Sequence, residues 1–245
     1  MKQLKYLVGC LFVVAFALQS CSFNPSITTI AGNEIIIQEE IVISDYSAID
    51  LTIPGKVVYE QIQDRSPYLQ IKVDENIFPL LDIAVEKNRL KIEMKNHEII
   101  SPSLLTITTN SRDLNRINMA GSGTIHLTGD VKTEKMNIVI AGSGDILSDN
   151  LYCEYIDLEI VGSGNATLNG TGKDAGFSVT GSGDIHAYNY LVSKVGCQVI
   201  GSGGINTSVT ERLNASIVGS GDVKYKGNPQ TDSKITGSGN IEQVR

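Results

Sequence analysis

The tripeptide Gly-Ser-Gly occurs seven times in the second half of this chain, starting at Gly121, Gly142, Gly162, Gly181, Gly201, Gly219 and Gly237, at intervals of 21, 20, 19, 20, 18 and 18 residues. A period this constant is the mark of a repeat architecture, in which each unit buries its apolar face only against its neighbours. The flanks repeat too. Two residues before each first glycine stand Met119, Ile140, Ile160, Val179, Val199, Ile217 and Ile235, and four residues after it stand Ile125, Ile146, Ala166, Ile185, Ile205, Val223 and Ile241. Four before it come Ile117, Ile138, Leu158, Phe177, Cys197, Ala215 and Ser233. Apolar residues at every second position, with polar residues between, have the period of a strand buried on one face.

Each unit therefore reads as strand, bend, strand and a variable stretch of about ten residues. Stacking such units predicts an all-β fold, a right-handed single-stranded parallel β-helix (β-solenoid) with about seven corners. Right-handedness is the general rule for parallel crossovers. The corner ladder comprises the seven first glycines, the serines Ser122, Ser143, Ser163, Ser182, Ser202, Ser220 and Ser238, and the second glycines Gly123, Gly144, Gly164, Gly183, Gly203, Gly221 and Gly239. Glycine suits a sharp bend needing positive φ and stacked corners where a Cβ would collide with the next coil. The serine hydroxyls are expected to bond to neighbouring corners. No Leu-x-x-Leu-x-Leu pattern supports a leucine-rich repeat, and the period is half that of a propeller blade.

The first residues read as an export signal: Lys2 and Lys5, an apolar run from Tyr6 to Leu18, then Leu18-Gln19-Ser20-Cys21. The run is too short for a bilayer span of about 20 helical residues. The segment resembles a bacterial lipoprotein lipobox, which implies cleavage after residue 20, acylation of Cys21 and an outer-membrane address. Its face, periplasmic or surface, stays open. The expected organisation is a signal peptide over 1–20, a lipidated Cys and tether over 21–33, an N-terminal β region over 34–110, and regular repeats over 111–245. In the β region, Ile35 to Ile37, Ile41 to Ile43, Ile49 to Ile53, Lys56 to Gln63, Tyr68 to Val73, Asp82 to Glu86, Arg89 to Met94 and Leu104 to Thr109 read as strands. They form either irregular earlier coils or a cap. The last coil lacks a cap, so association through an open C-terminal coil is expected, as a homo-oligomer.

The segments Asp45-Tyr46-Ser47-Ala48-Ile49-Asp50 and Val73-Asp74-Glu75-Asn76-Ile77, with Val85, Leu90-Lys91-Ile92 and the recurring corners, resemble the auto-transporter adhesin head GIN domain family. The resemblance covers roughly Tyr46 to Ile241. It implies an exported β-helical protein with an adhesin-like role and no defined catalytic residues.

The residues themselves carry little chemistry. A formal charge of −7 without a basic stripe argues against nucleic acid. Membrane attachment therefore falls to the N-terminal lipid. His126 and His186 occupy equivalent outward positions three coils apart, beyond reach of one metal. His97 has no recognisable partner. The column Thr124, Asp145, Asn165, Asp184, Gly204, Asp222 and Asn240 reads as turn-closing side chains rather than a Ca²⁺ ladder, since Ca²⁺ takes six to eight oxygens. Neither a cofactor nor a metal site is expected. Of the remaining cysteines, Cys197 falls in an inward column and Cys153 in a variable arc, so no disulfide is expected. Carboxylates and basic residues in the arcs are scattered, giving no paired acid and base and no catalytic residue. Two functional classes survive: a non-enzymatic cell-envelope binding module with a protein or glycan ligand, and a glycan-binding or glycan-active β-helix. The second would use Tyr152, Tyr155, Tyr188 and Tyr190 as a stacking patch.

Overall fold

The computed structural model describes residues 29–96 and 98–245. The proposed signal, Cys21 and His97 lie outside the described residues. In chain order the strands are β1 (Thr29–Ala31), β2 (Ile36–Ile41), β3 (Ala48–Leu51), β4 (Lys56–Gln61), β5 (Leu69–Asp74), β6 (Leu81–Glu86), β7 (Arg89–Met94), β8 (Ile99–Ser101), β9 (Leu105–Ser111), β10 (Arg116–Gly121), β11 (Thr124–Gly142), β12 (Asp145–Gly162), β13 (Asn165–Gly181), β14 (Asp184–Gly201), β15 (Gly204–Gly219), β16 (Asp222–Lys226), β17 (Gln230–Gly237) and β18 (Asn240–Gln243). A single 3-10 turn, Phe78–Leu80, precedes β6.

From β10 onward the chain is a parallel β-solenoid in the register the repeats predict. Gly121 pairs with Gly142, Gly142 with Gly162, and so on to Gly219 with Gly237. The arcs differ from expectation. They are not variable loops, because the ladder runs through them and β11 to β15 each extend from one corner to the next. Differences in coil length are absorbed at bulges, between Leu127 and Asp130, Leu147 and Leu151, Thr167 and Asn169, and Ala187 and Leu191. An extra residue in a bulge leaves the pairing on both sides intact.

Inside, columns stack like with like. Ile117, Ile138, Leu158, Phe177, Cys197 and Ala215 form one, all buried. Burying each large aliphatic side chain contributes about 1.5–3 kcal/mol, so these columns dominate stability. Bulk is traded between coils. Tyr190 on β14 pairs with Gly170 on β13, and a Cβ on Gly172 would stand 2.6 Å from the Tyr190 hydroxyl. The two glycines make room for the ring.

The N-terminal region supplies both an earlier coil and a cap. β3 pairs in parallel with β10, and β4 with β11, so Ile53-Pro54-Gly55 stands where later coils have Gly-Ser-Gly. Below this coil lie β7 and β9, parallel to β3 and β4. Antiparallel strands close the end, β6 on β7, β5 on β9 and β2 on β5. The β6–β7 hairpin turns at Lys87 and Asn88, both with positive φ (50° and 64°), as a two-residue type I′ turn requires. The two isoleucine clusters read as separate strands form one strand, β2, and Val42 is fully exposed. The far end of the tether is built into the fold: β1 pairs with β8, and Glu34 N–H donates to the buried Asp74 carboxylate at 2.8 Å. Asp74 also accepts from Ser103 N–H and Oγ (2.8 and 2.6 Å). These bonds, that from the Ser103 hydroxyl first, hold its carboxyl below the usual range.

Candidate functional site

The corners are built by the backbone. From Gly142 to Gly219 each first glycine carbonyl accepts two N–H groups from the corner above: Gly142 O takes Ser163 N–H at 2.8 Å and Gly164 N–H at 3.0 Å. The first glycines have φ between 113° and 130°, and a Cβ on Gly162 would overlap the Gly142 carbonyl oxygen. Second glycines are buried under the same constraint: a Cβ on Gly164 would overlap Gly144 O. The serine side chains, expected to form the ladder, are exposed instead. Among the described residues one serine–serine bond forms, Ser238 Oγ to Ser220 Oγ at 3.1 Å.

The column after each corner holds itself together. Asn165 Nδ2 donates to Asp145 Oδ1 at 3.0 Å, and Asn240 N–H donates to Asp222 Oδ1 at 3.1 Å. Amides between carboxylates avoid like charges one strand apart. His126 Nε2 bonds to Asp149 Oδ1 at 2.8 Å, and His186 Nδ1 to Asn206 at 3.3 Å. Among the described residues, no three His, Cys, Asp or Glu side chains gather to hold a metal. Cys153 and Cys197 are buried free thiols, pushed up to about 11 and about 12 by burial.

The tyrosine patch does not form. Tyr190 is in the core, its hydroxyl without a hydrogen-bond partner. Tyr188 is half-buried under Lys226, with the ammonium 5.2 Å from the ring centre. Tyr152 and Tyr155 remain exposed on β12, beneath Lys132 and Lys135 respectively.

A further surface feature lies elsewhere, on the outward face of the strands that lead into the corners. It is a groove of about 740 Å³ crossing β11 to β15 and β17. One wall-and-floor column, five residues before each corner, is Asn137, Asp157, Gly176, Gly196, Asn214 and Asp232; beside it runs Glu159, Ser178, Gln198, Ser216 and Lys234. Gly176 and Gly196 are register partners, so two adjacent coils contribute no side chain at the centre. Toward the corners the groove is flanked by Val161, Ile200 and Val218, exposed by 42%, 41% and 48%. Among the described residues, none of the polar side chains in these two columns makes a hydrogen bond or ion pair within the protein. Sequence reasoning missed this site. Its only signal was a pair of glycines at equivalent outward positions, away from any corner.

Fold and surface together define a stiff parallel β-solenoid with a filled core, a capped N-terminal end and a polar groove along one flank. The chain belongs to the family described as "Putative auto-transporter adhesin, head GIN domain", whose model matches residues 45–229. No curated protein matches the chain. Among solved structures it is similar to a putative lipid binding protein from Parabacteroides distasonis ATCC 8503, at 32% identity over 89% of this chain and 100% of that one, with a TM-score of 0.73. A putative adhesin from Bacteroides fragilis NCTC 9343 aligns at 27% identity over 88% and 100%, with a TM-score of 0.82. A putative adhesin from Parabacteroides merdae ATCC 43184 aligns at 25% over 89% and 99%, with a TM-score of 0.72.

Proposed function

We propose that this chain is a non-enzymatic cell-envelope lipoprotein, anchored to the outer membrane through acylated Cys21, whose solenoid is an adhesin-like binding module. The observation that carries the reading is the combination of a stiff coil stack with a groove whose polar side chains bond to nothing among the described residues. The inside of the solenoid is filled by its own columns, so the ligand surface is the outside. The adhesin names of two relatives agree with this reading. Self-association through β17, which among the described residues pairs with β15 and is exposed along its length, belongs to the same proposal.

Protease treatment of intact cells tests the reading, with Cys21→Ala as the anchoring control. Digestion of the wild-type chain on unbroken cells, together with release of the Cys21→Ala chain from the membrane fraction, supports a surface adhesin. Protection until the outer membrane is opened removes adhesion and leaves a periplasmic scaffold. Unchanged membrane association of Cys21→Ala removes the lipid anchor.

A further inference from the structure

The two central glycines of the groove serve no purpose in the fold. Corner glycines are needed for their positive φ and for close backbone approach; Gly176 and Gly196 have neither role. Both have ordinary extended backbone, and a Cβ on Gly196 would meet nothing within 4 Å. A Cβ on Gly176 would meet only the Asp157 carboxylate at 2.5 Å, the mobile end of an exposed side chain. Glycine in a strand interior is destabilising by roughly 0.5–1 kcal/mol relative to alanine. Two of them side by side, on the lining of this groove, keep a surface empty.

The chemistry around that empty floor is specific. Carboxamides, carboxylates and hydroxyls stand along it in two columns, their members one coil apart, with no partner among the described residues. The carboxamides and hydroxyls donate and accept while the carboxylates accept, and the set is repeated at about 4.8 Å. Alongside, one residue before each corner, stand Val161, Ile200 and Val218, with Thr180 on the coil between the first two. A sugar ring presents this same pairing, with hydroxyls at its edge and C–H groups on its face, and in an extended chain it advances by about one strand spacing. Six strands give a track of roughly 24 Å. The charges lining it are Asp157, Glu159 and Asp232 against Lys234 alone, so an anionic polymer is repelled. An extended peptide would need unpaired backbone groups for strand addition, and those on this face are already used in the ladder.

We infer that the groove binds a linear uncharged glycan laid along the solenoid axis, about one ring per coil. This rests on the reading of the chain as a binding module. The experiment is calorimetric titration of the purified protein with cellohexaose, chitohexaose and xylohexaose, their trisaccharides, hexagalacturonate and hexalysine. The expected result is that at least one uncharged hexasaccharide binds, at least tenfold more tightly than its trisaccharide, and that hexagalacturonate does not. Gly196→Val places a branched side chain on the groove floor, and is expected to lower that affinity at least tenfold with a melting temperature equal to or above wild type. Should that variant misfold, Gln198→Ala with Asn214→Ala truncates two exposed groove side chains and is expected to give the same loss. Binding of none of the uncharged glycans, binding of hexalysine alone, or undiminished binding by a folded groove variant overturns the inference. Cys21→Ala leaves this titration unchanged, so failure of the envelope reading and failure of the groove are read separately.

Discussion

Two glycine-to-alanine substitutions, Gly162→Ala and Gly196→Ala, separate the glycines that build the solenoid from those that do not. At Gly162 the backbone has φ 130°, a region essentially confined to glycine, which costs an L-residue about 1–3 kcal/mol. The added methyl also overlaps the Gly142 carbonyl oxygen, a backbone atom that cannot rotate away. Such overpacking typically costs about 1–3 kcal/mol. The same oxygen accepts two N–H groups, and the shift needed to relieve the clash lengthens both, at about 1 kcal/mol for each bond lost. Reduced entropy of the unfolded chain returns about 0.4–1 kcal/mol. The net expectation for Gly162→Ala is a loss of about 3–8 kcal/mol, a large share of the roughly 5–15 kcal/mol that holds a domain together. For Gly196→Ala only the entropic and propensity terms remain, and a gain of about 0.5–1 kcal/mol is expected. Urea denaturation followed by circular dichroism measures both. Amide exchange shows whether the Gly162→Ala damage stays in adjacent coils, as nearest-neighbour coupling requires. Equal effects at the two positions would refute the claim that close approach and φ, rather than glycine content as such, set the corner.

Further outcomes follow from buried groups. Tyr190→Phe removes a buried hydroxyl without a partner and is expected to be neutral or stabilising by about 1 kcal/mol, whereas Tyr46→Phe loses the 2.9 Å bond to Thr109 and is expected to destabilise by about 0.5–1.5 kcal/mol; paired denaturation curves decide this. Burial holds the Cys153 and Cys197 thiols near 11 and 12, so iodoacetamide at pH 8 is expected to label neither in the folded protein and both in urea, as read by mass spectrometry. Asp74 has a depressed folded pKa, so its contribution is fully present above the unfolded value of about 3.9 and is lost as pH falls through the folded value. Asp74→Asn is accordingly expected to flatten the acid limb of the stability profile, and to expose the amides of Glu34, Ser103 and Leu104 to exchange at neutral pH.

The repeating part of the fold was legible because one tripeptide and its apolar columns recur in register, and a period of two assigns every side chain a face. Legibility failed where geometry, rather than composition, sets the role of a residue. Ile53-Pro54-Gly55 is a corner by position alone, and only its layer against Gly121 to Gly123 reveals it. Tyr190 looked like a surface aromatic because the bulge between Ala187 and Leu191 reverses the alternation. The serines looked like the ladder because they are invariant across corners, whereas the bonds belong to the peptide groups beside them. The groove was invisible for the opposite reason: in a chain with 24 glycines, two whose role is to leave space do not stand out from those the backbone demands.

The position of the β3–β4 coil has a consequence for the order of events in folding. Asn118 Nδ2 bonds to Asp50 Oδ1 across 68 residues of sequence, and Arg89 grips the other oxygen of the same carboxylate from below. The first regular coil is thus laid on a template made early in synthesis, while the intervening chain must loop away, build the cap and return. That long closure is the entropically expensive step. Every later coil adds to a neighbour about twenty residues back, so once the template is seated the rod lengthens like a crystal growing from a seed, in the direction the chain is made. Shortening it from the far end trims the rod, while damage to the seed leaves nothing on which to grow.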